Sequence, residues 1–395
     1  MLSKETALSL LWILAILLVA CRHGASPQVI SADPTDNSPA DSSNPPSQPK
    51  QDNNNRETSA AFISPNNPLI RYTGRIDFTD PERPKFDWPA VTIEAAFEGS
   101  SVAVLLDDGA NFYNVTVDGE TSVLQTRPDQ QRYLLAEDLG RGTHTVRLTK
   151  RTETFFGTPA FLGFELDRDH ELRPLPPRPD RRIEFVGDSI TAGYGTEGES
   201  PTCIFSTDTE NVELTYAAMT AAELEAEYIV LAISGVGIVR NYNADDSLTP
   251  GTMLSYYEGT TTDLDTKPWD FQRWVPQAVV INLGTNDFST APHPEGEIFL
   301  RGYTDLIIKI RNRYPEAQIF AVAGPIMVDP AAATIRSVVT QMREVLSDDR
   351  VHFVEIENNL DLSAVDYGCD WHPNASGQRK IAEQLIPAIA ENLGW

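Results

Sequence analysis

From about Phe62 to Arg173 the apolar residues alternate with polar ones: Val91, Ile93, Ala95 and Phe97, then Val102, Val104 and Leu106, then Val115 and Val117, then Val146 and Leu148. A period of two sends successive side chains to opposite faces of a strand, so these stretches predict half-buried β-strands. Turn-forming runs at Glu98-Gly99-Ser100, Asp107-Asp108-Gly109, Asp118-Gly119 and Arg141-Gly142 separate them. Together they predict a small antiparallel β-sandwich, jelly-roll-like, over residues 61–173. The run Pro174-Leu175-Pro176-Pro177-Arg178-Pro179 is too rich in proline to continue a sheet and predicts a stiff connector over 174–180.

Beyond the connector the pattern changes. Short apolar strands at Ile183–Val186, Ile229–Ile233, Val279–Leu283, Ile319–Val322 and Val351–Ile356 alternate with helical stretches at Thr215–Glu227, Glu297–Arg313, Thr334–Leu346 and Ser376–Asn392. Strand–helix alternation predicts an α/β domain over 181–395, a parallel sheet flanked by helices. Functional groups of such sheets gather at the carboxyl ends of the strands.

At the amino end, an apolar run from Ala7 to Ala20 follows Lys4 and leads into Leu18-Val19-Ala20-Cys21. The run is short for a membrane span and reads as a secretory leader over 1–20. Small residues before a cysteine resemble the bacterial lipobox, which implies cleavage before Cys21 and a lipid on its sulfur. Residues 21–60 are rich in Ser, Pro, Asn, Asp and Gln and hold almost no large apolar side chain, so they predict a disordered tether. The expectation is an exported lipoprotein held at the cell envelope or surface.

The composition bounds the partners. A 395-residue chain with 41% hydrophobic and 22% charged residues can bury a sizeable core, while a formal charge of −26 repels nucleic-acid phosphates. Nucleic acid is therefore excluded as an expected partner, and a neutral polysaccharide suits the charge better. Oligomeric state has no signature in the sequence.

The first strand end reads Phe185-Val186-Gly187-Asp188-Ser189-Ile190-Thr191-Ala192-Gly193-Tyr194-Gly195. A serine just after a buried strand stands at the mouth of the sheet, where a nucleophile is needed. No G-x-S-x-G elbow is present. The segment Gly187-Asp188-Ser189 resembles instead the first sequence block of the SGNH (GDSL-type) hydrolases. Ser234-Gly235-Val236-Gly237 and Gly284-Thr285-Asn286-Asp287, each after a further strand, fit the same resemblance. It implies an oxyanion hole made of the N–H groups of Ser189 and Gly235 and the amide of Asn286, the donors that acyl transfer requires.

The base should follow the last strand, where Asp370-Trp371-His372-Pro373-Asn374 lies. Of the six histidines, His23 is in the tether, His144 and His170 are in the sandwich, His293 sits in a proline-flanked loop and His352 opens a strand. His372 remains as the group that activates Ser189. Many SGNH hydrolases place an acid three residues before the histidine, a position held here by Cys369. Asp370 is expected to orient the imidazole, with a backbone carbonyl as the alternative.

The sandwich-then-hydrolase order, Asp208-Thr209-Glu210-Asn211, Trp269-Asp270-Phe271, Val280 to Phe288 and Cys369-Asp370-Trp371-His372-Pro373 resemble carbohydrate esterase family 2. The resemblance implies removal of acetyl groups from polysaccharides such as xylan and glucomannan, without cofactor or metal. It also implies that Trp269 and Trp371 line the substrate cleft. An acetylesterase acting on peptidoglycan or another bacterial glycan, a lipid or thioester hydrolase, and a carbohydrate-binding surface lipoprotein are the alternatives. In an exported chain, Cys203 and Cys369 invite a disulfide, which would clamp the loop after Ser189 to the loop before His372.

Overall fold

The alternation between Val91 and Leu148 becomes two antiparallel sheets. In the computed structural model, which describes residues 60–327 and 329–395, one sheet orders β1 (Ala61–Ile63), β9 (Ala160–Leu166), β4 (Val102–Asp107) and β7 (Arg132–Ala136). The other orders β10 (Leu172–Arg173), β3 (Thr92–Glu98), β8 (Thr143–Lys150), β5 (Phe112–Val117) and β6 (Glu120–Gln125), with β2 (Arg71–Thr73) also paired to β3. Across β3 and β8, Ile93 faces Leu148 and Ala95 faces Val146, and all four side chains are buried. The β5–β6 hairpin turns on Asp118 and Gly119, both at positive φ (50° and 91°), as a two-residue hairpin loop of mirror-image type requires. β6 carries no apolar period because its residues face solvent almost throughout.

The second sheet system is parallel, in the order β12 (Ala226–Ala232), β11 (Arg181–Gly187), β13 (Ala278–Asn282), β14 (Gln318–Ala323), β15 (Val351–Glu355). Phe185, Val280 and Phe320 face one core with the helices Tyr216–Glu223 and Ala375–Leu393. Val186, Ile281 and Ala321 face another with Gly296–Arg313 and Ala331–Glu344. Both faces of the sheet are thus covered, the arrangement that lets parallel strands be apolar throughout. The order of strands reverses at β11, which opens a crevice beyond its carboxyl end. The helix expected over Thr215–Glu227 ends at Glu223, because Glu225 turns left-handed (φ 51°) and β12 begins at Ala226.

The sandwich is not a separate bead. One buried apolar cluster runs from Val91 and Trp88 through Tyr257, Trp269 and Phe271 to Val186 and Ile281. Across it, Arg75 pairs with Glu184 of β11 at 3.3 Å, both side chains fully buried, and Tyr257 and Tyr314 donate to the same carboxylate at 2.7 and 3.2 Å. Breaking such a pair would strand a buried charge, so these contacts lock the relative placement of the two layers. The leader, the tether up to residue 59 and Cys21 lie outside the described residues. Among the described residues no helix is long and apolar enough to cross a membrane.

Candidate active site

Ser189 opens a single helical turn, Ser189–Ala192, directly after β11. Asp188 caps it, its Oδ1 accepting the Ile190 N–H at 3.1 Å. Gly187 is required where it stands: a Cβ there would sit 2.0 Å from Thr191 Oγ1. Gly193 closes the turn at φ 95°. The serine is 8% exposed, and its Oγ lies 2.8 Å from Nε2 of His372. The structure therefore brings together Ser189 and His372, 183 residues apart in sequence.

His372 is delivered by a loop that leans on the loop following the serine. The Cys369 N–H donates to Gly195 O at 3.3 Å, the Asp370 N–H to Cys203 O at 2.9 Å and the Trp371 N–H to Pro201 O at 3.1 Å. Cys203 and Cys369 form a disulfide at the same seam. Gly198 permits the approach, since a Cβ on it would meet Cys369 N at 2.3 Å.

The orientation of the imidazole departs from the expected carboxylate. Nδ1 of His372 is 3.0 Å from the backbone carbonyl of Asp370. The Asp370 carboxylate instead accepts the Tyr194 hydroxyl and the Phe205 N–H, each at 2.9 Å. The reason is backbone conformation: Asp370 and Trp371 are both left-handed (φ 50° and 59°), which aims the carbonyl at the ring while the side chain leaves on the other side. Tyr194 packs on His372 with ring centroids 4.3 Å apart and on Phe205 at 4.0 Å. Burial pushes the His372 imidazole down to about 4, the Asp370 carbonyl opposing only part of that shift. The ring is therefore neutral at pH 7, with Nε2 free to take a proton.

Gly235 and Asn286 stand beside this pair. Asn286 Nδ2 donates to Asp188 Oδ2 at 3.3 Å and to Val236 O at 3.0 Å, so its amide joins the residue before Ser189 to the residue after Gly235. Gly235 adopts φ 76°, and neither its N–H nor that of Ser189 donates to another group among the described residues. Asp287, which sequence reading gave no role, accepts the N–H groups of Ile238, Val239 and Arg240 at 2.8–3.2 Å and so ties this strand end to the Gly235 loop. Burial pushes Asp188 up to about 7.

Trp371 is half-buried beside His372. Trp269 is elsewhere. It is 7% exposed and lines a cavity of about 450 Å³ with Tyr72, Asp180, Arg182 and Trp274. Asp180 and Arg182 mark the amino end of β11, the end away from Ser189. The aromatic surface expected at the cleft from Trp269 is therefore core packing under Arg75 and Arg273. Of the other described histidines, His352 bonds Gln318 at 2.7 Å, His144 bonds Asp118 and His293 packs edge-on against Phe288.

Residues 72–176 match the family described as carbohydrate esterase 2 N-terminal, and residues 185–380 the GDSL-like lipase/acylhydrolase family. The cellulase/esterase CelE of Acetivibrio thermocellus is 37% identical over 334 residues; the match covers 83% of this chain but 40% of that protein, so the chain spans less than half of its length. An acetylxylan esterase/glucomannan deacetylase of Cellvibrio japonicus is 33% identical, with 78% of this chain and 86% of that protein covered. Among solved structures, a family two carbohydrate esterase from Clostridium thermocellum in complex with cellohexaose superposes with a TM-score of 0.77 at 36% identity, covering 82% of this chain and 99% of that one.

Proposed function

The chain belongs to carbohydrate esterase family 2, and from that premise we propose that it is a serine esterase removing O-acetyl groups from polysaccharides of the xylan and glucomannan type. The observation that carries this reading is the 2.8 Å contact between Ser189 Oγ and His372 Nε2 at the crevice of the parallel sheet. Ser189 attacks the acetyl carbonyl while His372 takes its proton. The carbonyl oxygen becomes an oxyanion, received by the N–H groups of Ser189 and Gly235; Asn286 Nδ2, whose two hydrogens go to Asp188 and Val236 in the resting site, turns one of them to it. His372 then passes the proton to the departing sugar hydroxyl, leaving an acetyl-enzyme. Water, deprotonated by His372, attacks that ester; acetate departs and Ser189 recovers its proton. The Asp370 carbonyl accepts Nδ1–H throughout, fixing the tautomer in which Nε2 is the base.

Hydrolysis of a small activated acetyl ester and of acetylated xylan or glucomannan, by the wild type and by Ser189→Ala, tests the reading. Acetate release from both substrates that vanishes in the variant is the expected result. Cleavage of the small ester alone would leave the chemistry standing and remove the substrate class. Export and attachment through a lipid on Cys21 belong to the same proposal, supported by the apolar run before that cysteine; a Cys21→Ala protein that still partitions with membranes in the producing cell would overturn the attachment.

A further inference from the structure

Among the places where the sandwich meets the catalytic loops is a short segment, Arg151-Thr152-Glu153, which follows β8. Arg151, 2% exposed, pairs with Glu197 and donates to the carbonyls of Glu210 and Asp208, each at 3.1 Å. These acceptors all lie in the loop that follows the nucleophile. Two residues on, Glu153 turns the other way. It is 1% exposed, and its Oε2 accepts the N–H of Ser234 at 2.6 Å. Ser234 immediately precedes Gly235.

We propose that Glu153 of the sandwich is a positioning residue for the oxyanion hole, holding the Ser234 peptide so that the next N–H, that of Gly235, faces the reacting carbonyl. The inference rests on the reading of Gly235 as an oxyanion donor. The Gly235 amide lies between two held points: Glu153 grips the N–H before it, and the Tyr242 N–H donates to the Gly235 carbonyl at 2.7 Å on its other side. A glycine at φ 76° has no side chain to keep it in place, so its direction depends on such anchors. Glu153 is itself braced. Its own N–H donates to Glu210 Oε2 at 3.2 Å, and its carbonyl accepts the buried Lys150 Nζ at 2.9 Å. Burial raises both carboxyls, and the Glu153 charge raises Glu210 further, well above the usual range. On this view the sandwich is a working part of the esterase site, contributing its geometry without touching substrate.

The experiment compares wild type, Glu153→Ala and Glu153→Gln on a small activated acetyl ester, with active sites titrated by a serine-directed phosphonate. A misdirected oxyanion donor costs on the order of 10–100-fold. The expected result is a loss of that size in kcat per titrated site for E153A, with KM changed by less than about threefold, and recovery by E153Q, whose amide oxygen still accepts the Ser234 N–H. In parallel, amide hydrogen exchange over residues 229–241 should quicken in E153A and stay slow in E153Q. An unchanged kcat per titrated site in E153A, or unchanged exchange in that segment, overturns the proposal and leaves Glu153 as a structural tie between layers. If E153A does not fold, Glu153→Asp, one methylene shorter, is held to the same two criteria. A wild type inactive on the ester would sink the esterase reading, while the exchange measurement would still decide whether Glu153 holds the loop.

Discussion

The Asp370 carbonyl oxygen lies 3.0 Å from Nδ1 of His372, while the carboxylate of the same residue bonds Tyr194 and Phe205. One residue thus serves the imidazole with its backbone and the neighbouring loop with its side chain. The consequence is that the base needs no buried anion beside it. A carbonyl can hold the tautomer, but it adds less stabilisation than a carboxylate to the imidazolium formed during the reaction.

Asp370→Asn separates these two roles. In a triad that depends on the carboxylate, the same change costs about 10⁴-fold in kcat because the wrong tautomer is held. Here the accepting carbonyl is retained, asparagine tolerates the left-handed backbone at φ 50°, and its amide oxygen can still accept from Tyr194 and Phe205. The expected loss is less than about tenfold in kcat. A loss near the triad value, measured on an activated acetyl ester, would show that the carboxylate charge is required after all.

The pH profile should show the same design. Burial lowers His372 from 6.5 to about 4, so kcat/KM should hold its plateau well below pH 6.5 and fall only as pH approaches about 4. Asp188, raised by burial to about 7, titrates one residue from the nucleophile; Asp188→Asn removes that group and should leave the limb near 4 in place. The linkage to stability follows in sign. The folded imidazole binds its proton less readily than the unfolded one, so between about 6.5 and about 4 the unfolded state takes up more protons. This histidine's contribution is complete above pH 6.5 and is lost as the pH falls through that window. A kinetic limb near 6.5 that persists in D188N would contradict the burial argument.

Much of this arrangement was legible in the sequence because it is local. Ser189, Gly235 and Asn286 each follow a strand, and a parallel α/β sheet brings such positions together whatever lies between them. The apolar period exposed β3, β4, β5 and β8 for the same reason, whereas solvent-facing β6 left no pattern to read. What escaped depended on long-range geometry. Asp370 precedes the histidine by two residues, as an orienting acid could, and only its left-handed backbone turns the carboxylate away. Trp269 is an aromatic in a recognisable segment, but burial at the amino end of β11 is not written in its neighbours. Glu153 stood in a stretch without motif or period, 81 residues before the serine whose N–H it accepts.

The Cys203–Cys369 disulfide bears on both stability and rate, and the two effects should separate. The bond links positions 166 residues apart, so its removal frees a long loop in the unfolded chain, typically worth about 2–4 kcal/mol. The seam it closes is also held by backbone hydrogen bonds, among them the Cys369 N–H to Gly195 and the Asp370 N–H to Cys203. These should keep His372 near Ser189 at temperatures where the protein stays folded. Replacing both cysteines by serine is therefore expected to lower the thermal midpoint by several degrees while reducing kcat at 25 °C by less than about tenfold. Thermal unfolding and initial rates of the double variant measure the two together. An unchanged midpoint would show that the loop is not constrained by the bond. A loss of activity beyond about 100-fold in folded protein would show that the disulfide, and not the hydrogen-bonded seam, sets the position of the base.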